Sequence, residues 1–429
     1  MRRVNTESRY MTFLAGLFSI ALFLATGCSA PQTPQAEGVT VFEGARLIVG
    51  DGSEPIADAA FIVQNNRFTA VGRKGQINVP AGAARVDLTG KTVMPAIIDT
   101  HKHLAETREP LVDQLQHLAY YGVGVVTSLG RDFDPAFQVR EETIPNAARL
   151  RTAGRGITAP EPGRSEAPYW IKSEDEGRTA VRELAAKKVD LVKIWVDDRN
   201  GKYKKLSPAL YGAIIDEAHK HNLRVTAHIF ALQDAKGLLR AGIDRFAHGV
   251  RDRDIDEEFL QLFRERPNVI LVPNLSDRGV AVDMSWLADS VPAEELQKLQ
   301  AESTDRPDVQ KMFAIQARNV AKLNAAGIRL AFGTDGTIPW AAHVEMADMV
   351  AAGMTPAQVI TAATRNSADL LQLTDVGTVQ AGKSADFIVL DANPLDDITN
   401  TRRIAAVYLR GTEVARAALR AQWIGKTSQ

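Results

Sequence analysis

Two alternating rhythms of apolar and polar residues run through the chain. From position 93 onward, short apolar runs of strand length alternate with stretches carrying apolar residues every three or four positions. The runs are VMPAIIDTH (93–101), GVVTSLG (124–130), RLRTAGRGIT (149–158), VDLVKIWV (189–196), RVTAHIF (224–230), RFAHGV (245–250), VILVPNL (269–275) and RLAFGTD (329–335). Between them fall helical patterns such as SPALYGAIIDEAHKH (207–221) and LQDAKGLLRAG (232–242). Eight strands separated by helices predict an α/β fold, a (β/α)8 TIM barrel over 95–375. A doubly wound open sheet is the alternative, but no glycine-rich dinucleotide fingerprint follows an early strand.

The flanks keep a different rhythm. Residues 39–94 hold short strands broken by Gly and Asn turns, and the style returns in GTVQAGKSADFIVLDANP and AAVYLRGTEVAR near the other end. Together, 39–94 and 376–415 predict a small composite β-sandwich built from both chain ends, with a C-terminal tail at 416–429.

The first residues are a separate object. Arg2, Arg3 and Arg9 precede an apolar run (11–25) that is short for a membrane span, and small residues follow. This reads as an export signal over 1–27. The stretch ATGC resembles a bacterial lipobox, with Ala25 where Leu is usual, and implies lipidation of Cys28 and a tether over 28–38. Ser29 implies outer-membrane sorting by the same resemblance. Cleavage after Ala30, giving a freely secreted chain, is the alternative. Cys28 is the single cysteine, so no internal disulfide forms.

Composition narrows the partners. Lys and Arg number 51 against 52 Asp and Glu, so no basic excess points to nucleic acid. Hydrophobic content of 45% supports a sizeable core.

The tripeptide HKH occurs twice, at 101–103 and 219–221. The second copy sits late in a predicted helix, where residues i and i+2 point about 200° apart, so His219 and His221 cannot share an ion. The first copy ends a strand, where i and i+2 share a face at roughly 6.6 Å. In a barrel, that end carries the active site. Other strand ends repeat the theme: Lys193 within VDLVKIWV, His228 in RVTAHIF, His248 in RFAHG and Asp335 in RLAFGTDG. A buried unpaired charge is costly, so this many at one rim are not packing accidents. Four of the chain's eight histidines fall there. His117, His219 and His221 read as having no catalytic role.

The set DTHKH, a strand Lys, AH, AHG and GTDG resembles the amidohydrolase superfamily, and VGTVQAGKSADFIVLDANPL resembles the segment closing its β-sandwich. Within the superfamily the chain most resembles the imidazolonepropionase-like and prolidase-like branch. The resemblance implies two divalent metal ions, with Zn²⁺ favoured by the ligand types. His101, His103 and Asp335 would hold the more buried ion and His228 and His248 the other. Lys193, as N6-carboxylysine, would bridge both. Metal-activated hydroxide would attack a carboxamide, with Asp335 as the catalytic proton carrier. A single-metal deaminase is disfavoured because such enzymes lack the lysine.

The implied substrate is a small amide, a dipeptide or N-acyl amino acid with an apolar or aromatic group. The same centre could act instead on lactones, esters or organophosphates, and a binding protein without turnover is the rival from another class. Tyr169 and Trp170, in the loop after strand 3, could form an aromatic wall. Arg251 could grip a carboxylate or pair with Asp252 or Asp254 at the surface. Asn274 is a candidate hydrogen-bond donor. His343 is a candidate substrate contact or a helix-face residue. The resemblance also implies a homo-oligomer, by analogy alone.

Overall fold

Strands from both ends of the chain hydrogen-bond into one eight-stranded sheet in the computed structural model, which describes residues 38–275 and 277–425. The N-terminal part supplies β1 (Val39–Leu47), β2 (Ile56–Gln64), β3 (Arg67–Arg73), β4 (Ala84–Asp87) and β5 (Thr92–Pro95). The expected signal segment and Cys28 lie outside the described residues, as do most of the tether and the last residues of the tail.

The barrel follows with β6 (Ile97–Lys102), β7 (Val123–Gly130), β8 (Arg149–Arg155), β9 (Ile157–Thr158), β10 (Tyr169–Trp170), β11 (Val192–Val196), β12 (Val225–Ile229), β13 (Arg245–Phe246) and β14 (Ile270–Leu271). Neighbours pair in parallel from β6 to β8 and from β10 through β9, β11, β12 and β13 to β14. The chain returns to the first sheet as β15 (Phe387–Leu390), β16 (Ile404–Leu409) and β17 (Thr412–Glu413). Strand β15 pairs antiparallel with β5, Val389 opposite Val93, which binds the two ends to each other directly beside the barrel's first strand.

Aromatic packing explains why the end sheet holds. Phe42 stacks on Phe61 at 5.0 Å and Tyr408 on Phe387 at 4.6 Å, with Phe68 buried among them. Rings in such pairs add about 0.5–1.5 kcal/mol beyond their burial. Helices α1 (Arg108–Tyr120), α2 (Asp134–Arg140), α3 (Glu174–Ala186), α4 (Pro208–Lys220), α5 (Leu232–Ala241) and α6 (Glu257–Arg264) cover the barrel. Local chemistry sets their limits. Ser173 and Ser207 accept the N–H of Glu176 and Leu210 as N-caps, and Gly242 ends α5 at φ 97°. After β14 come α7 (Ala293–Glu302), α8 (Pro307–Ala325) and α9 (Ala341–Ala351).

The eighth expected strand departs from regularity. Only Leu330 bridges Leu271 in strand fashion. The segment still closes the ring, since Ala331 N donates to Leu271 O at 3.0 Å and Thr100 N to Phe332 O at 3.0 Å. The cause is crowding at the rim. A Cβ on Gly333 would stand 2.8 Å from the His101 Cβ, and Asp335 takes a left-handed φ of 59°. Strands 6 and 7 shorten likewise, so His248 and Asn274 (φ 46°) stand just past β13 and β14 rather than within them.

Candidate metal centre

Strand β6 carries His101, and His103 follows it. His101 is 1% exposed, and its Nδ1 lies 3.1 Å from the Ala247 carbonyl. The Asn274 amide nitrogen stands 2.5 Å from the same Nδ1, so the protein holds that ring nitrogen and turns Nε2 toward Asp335. That Nε2 is buried without a hydrogen-bond partner, as is Nδ1 of His103. Asp335 sits across from both, 3.7 Å from His101 Nε2 and 3.2 Å from His103 Nε2. Ligand atoms of these three residues lie within 4.8 Å of one another, close enough to hold one ion.

The other rim residues extend this cluster. The His248 ring is 5.0 Å from that of His101 and 4.4 Å from that of His228, and His248 Nε2 is 3.7 Å from Asp335. Lys193 is fully buried, with no hydrogen-bond partner for its Nζ. It shares the inner face of β11 with Trp195, whose ring lies 5.3 Å from that nitrogen. Trp195 in turn fits against two glycines: a Cβ on Gly130 or Gly156 would stand 2.3 Å or 2.1 Å from its ring. His219 and His221 stay outside, half exposed on α4, with His219 paired to Asp244 at 3.0 Å.

Electrostatics keeps these groups in ligand-competent forms. Burial holds His101 and His248 well below the usual imidazole value and brings His228 down to about 3, so all three are neutral. Burial, aided by Arg199 and Arg251, brings Lys193 down to about 7. Burial raises Asp335, and against it stand the positive charge that a protonated His101 or His248 would bring and the hydrogen bond from His103, which hold the carboxyl below its ordinary value.

Asp197 and Arg199 are missing from the sequence-based set. His228 Nε2 lies 3.0 Å from Asp197 Oδ2, and Arg199 Nη1 lies 2.8 Å from the same oxygen. A carboxylate only accepts, so His228 is protonated on Nε2 and Nδ1 keeps the lone pair. This is the arrangement in which a carboxylate fixes the tautomer of a metal-binding histidine. Glu161, 6% exposed, holds the Nε side of Arg199 at 3.1 Å. The signal was present in the sequence: Asp197 directly follows β11, at the rim where the histidines were counted, yet DDRNG reads as a solvated turn.

The expected substrate contacts divide. Arg251 faces the cluster, with Nη2 2.9 Å from Ile229 O and 3.4 Å from His228 Nε2, and its Nε is buried without a partner. The surface pairing fails, because Asp252 pairs with Arg253 and Asp254 with Arg318. His343 requires correction. It is 0% exposed on α9, with Nε2 3.0 Å from Tyr121 O and Nδ1 3.1 Å from Thr401 Oγ1, so both nitrogens serve the core and reach no substrate. Asn274 is likewise 0% exposed and donates to Ala247 O beside the His101 ring, which makes it a support for that histidine. Tyr169 lies under Arg155 at 4.2 Å, with its phenol raised by burial and by Glu183 of α3, and so anchors its loop. Trp170 beside it is half-buried, its indole N–H without a partner.

Comparison with known proteins agrees with this architecture. Ochratoxinase of Aspergillus niger is 25% identical over 421 residues, covering 84% of this chain and 82% of its own. Imidazolonepropionase of Deinococcus radiodurans is 25% identical over 389 residues, covering 84% and 92%. The crystal structure of a candidate prolidase from Bifidobacterium longum superposes with a TM-score of 0.73 at 26% identity, covering 91% of this chain and 99% of that one. The sequence model of the amidohydrolase family matches residues 92–414, from the last strand before the barrel to the return into the end sheet. Members of that family are generally metal-dependent, and the ligand atoms of His101, His103 and Asp335 lie close enough together to hold an ion. The chain therefore belongs to the amidohydrolase family and is a hydrolase acting on carbon–nitrogen bonds.

Proposed function

We propose that the chain is a binuclear amidohydrolase cleaving the carboxamide of a dipeptide or N-acyl amino acid that bears an apolar or aromatic group. One observation carries the reading: His101, His103, Lys193, His228, His248 and Asp335 gather at one mouth of the barrel, with buried nitrogens of His101, His103 and Lys193 left without protein partners. Buried polar atoms are almost always satisfied, so orphans clustered among lone-pair donors fit cations.

In this reading His101, His103 and Asp335 would hold one divalent ion and His228 and His248 the other. Imidazole with oxygen donors favours zinc. Lys193 would bridge the two as its carbamate, because an ammonium brought down to about 7 supplies the neutral amine that carbon dioxide requires. When bound, the ions would polarise the substrate carbonyl and acidify a water toward ~7. Asp335, ionised at neutral pH, takes up the water's proton and delivers it to the leaving nitrogen. Arg251, with no carboxylate partner among the described residues, binds the substrate's terminal carboxylate. Relatives named prolidase and ochratoxinase are consistent with such a substrate.

The test is a hydrolysis screen of metal-loaded enzyme over dipeptides, N-acyl amino acids, lactones and phosphotriesters, read by mass spectrometry. Amide cleavage with little ester or phosphotriester turnover supports the reading, and the reverse order overturns it. Anchoring through a lipid on Cys28, in an exported homo-oligomer, completes the proposal. It predicts labelled palmitate incorporation that Cys28→Ala abolishes.

A further inference from the structure

Beside the metal centre lies a cavity of about 240 Å³ between the loop after β14 and the loop leading into α9. Its walls are chiefly Val280, Met284, Trp286, Ile338, Trp340 and Val344. Three observations connect it to the chemistry. Thr334, which lines it, immediately precedes Asp335. The Ile338 carbonyl accepts the Lys102 ammonium at 2.7 Å, and Lys102 stands between His101 and His103. Leu275 N, next to Asn274, donates to Glu345 Oε1 at 2.9 Å, which ties the segment after β14 to a residue of α9 that lines the cavity.

The cavity's surface asks for an apolar occupant. Among the described residues the exposed large hydrophobics are Val280, Met312 and Ile338, the last 51% exposed, and two of these three line this cavity. Exposed aliphatic groups are ordinary when scattered, but a concave cluster beside a reactive centre marks a ligand site. Its polar floor disfavours an anion. Arg278 Nε lies 2.7 Å from the buried Asp348 carboxyl, the Arg402 guanidinium rests on the Trp286 ring at 4.7 Å, and Asp283, held below the usual carboxylate value by hydrogen bonds from Ser285, adds negative charge. An apolar cavity of ~150 Å³ accommodates benzene, so this one takes a benzyl or branched aliphatic group with room to spare.

We infer that this cavity receives an uncharged apolar side group of the substrate, while Arg251 on the opposite side, beside His228, takes its carboxylate. The inference deepens the carboxamide reading and rests on it. It moves the aromatic wall from Tyr169 and Trp170 to Trp286 and Trp340.

The test uses metal-loaded full-length Asp335→Asn, in which binding is read without turnover. Asparagine suits that position because it tolerates the left-handed backbone there. N-acetyl-phenylalanine and N-acetylglycine are titrated against intrinsic tryptophan fluorescence. The expected result is at least tenfold tighter binding of the benzyl ligand. Adding Ile338→Asp or Val280→Ser is expected to remove most of that preference and leave the glycine ligand's Kd unchanged. Ile338 is exposed, so its replacement threatens folding little. Equal binding of the two ligands, or a preference untouched by both variants, overturns the inference. Wild-type hydrolysis of the same pair separates the two readings: preference without cleavage sinks the amide reading, and cleavage without preference sinks only the cavity.

Discussion

Replacing His343 by glutamine separates a core role from a substrate role. The ring is fully buried, and a carbonyl can only accept, so Nε2 donates to Tyr121 O, while Nδ1 lies 3.1 Å from Thr401 Oγ1, whose hydroxyl donates to Ile398 O. At pH 7.5, losing this fit costs about 1–3 kcal/mol of stability, the usual penalty for a disturbed buried polar pair. Acid changes the comparison. Burial, with the charge of Arg402, brings His343 down to about 3, whereas the unfolded chain binds the proton near ~6.5. Between those values the unfolded state carries more protons, so the wild type loses stability as pH falls through 6.5. At pH 5 the loss from this one group is ~2 kcal/mol, from ~1.4 kcal/mol per unit over ~1.5 units. Other histidines titrate equally in both proteins and cancel in the difference. The assay is urea unfolding of chelator-treated wild type and His343→Gln at pH 7.5 and 5.0, followed by circular dichroism. The wild-type advantage is expected to shrink by about 2 kcal/mol at the lower pH, while kcat/KM and metal content at pH 7.5 stay unchanged. A stability gap that ignores pH, or a large fall in kcat/KM without a change in stability, would refute this reasoning.

Other predictions concern the centre itself. Asp335→Asn is expected to retain metal at least partly and lose roughly 10²–10⁴-fold in kcat as its proton transfer is removed, and unchanged hydrolysis would exclude that role. Asp197→Asn frees the tautomer of His228 and is expected to weaken metal binding by roughly 10–100-fold, measured by competition with a chromophoric chelator. Gly156→Ala drives a Cβ into the Trp195 ring and is expected to destabilise the fold by about 1–3 kcal/mol and disturb Lys193, read as a lower Tm with reduced metal content. Arg251→Met is expected to raise KM for carboxylate-bearing amides far more than for their methyl esters, by about 1.5–3 kcal/mol of binding.

The metal-side geometry was legible because strand ends at one rim of a barrel are equivalent positions, so a few polar residues ending apolar runs mark one place in space. That logic singles out His101, His228, His248 and Asp335, which the fold brings side by side, and Lys193, by its place inside an apolar strand. The logic failed where the chain leaves the strands. Asp197 and Arg199 lie in a charged turn whose composition matches any solvated loop, and only the folded chain shows them locked onto His228. His343 looked available because it follows the last strand, but helix α9 turns it inward against the Tyr121 carbonyl. Periodicity also cannot show that rim crowding ends regular pairing. Gly333 packs on His101, so the eighth strand survives as a few hydrogen bonds. The apolar cavity is assembled from α7, α9 and the segments around them, far apart in the chain, and has no linear signature at all.

We propose that Lys193 and the rim histidines hold a pair of cations that drives amide hydrolysis. Metal content per chain, measured by inductively coupled plasma mass spectrometry on wild type and Lys193→Ala, tests it most directly. Two divalent ions per wild-type chain, falling to one or fewer in the variant together with loss of N-acyl amino acid hydrolysis, is the predicted result. A wild-type chain purified without stoichiometric metal, or a variant that keeps its full complement and activity, would contradict it.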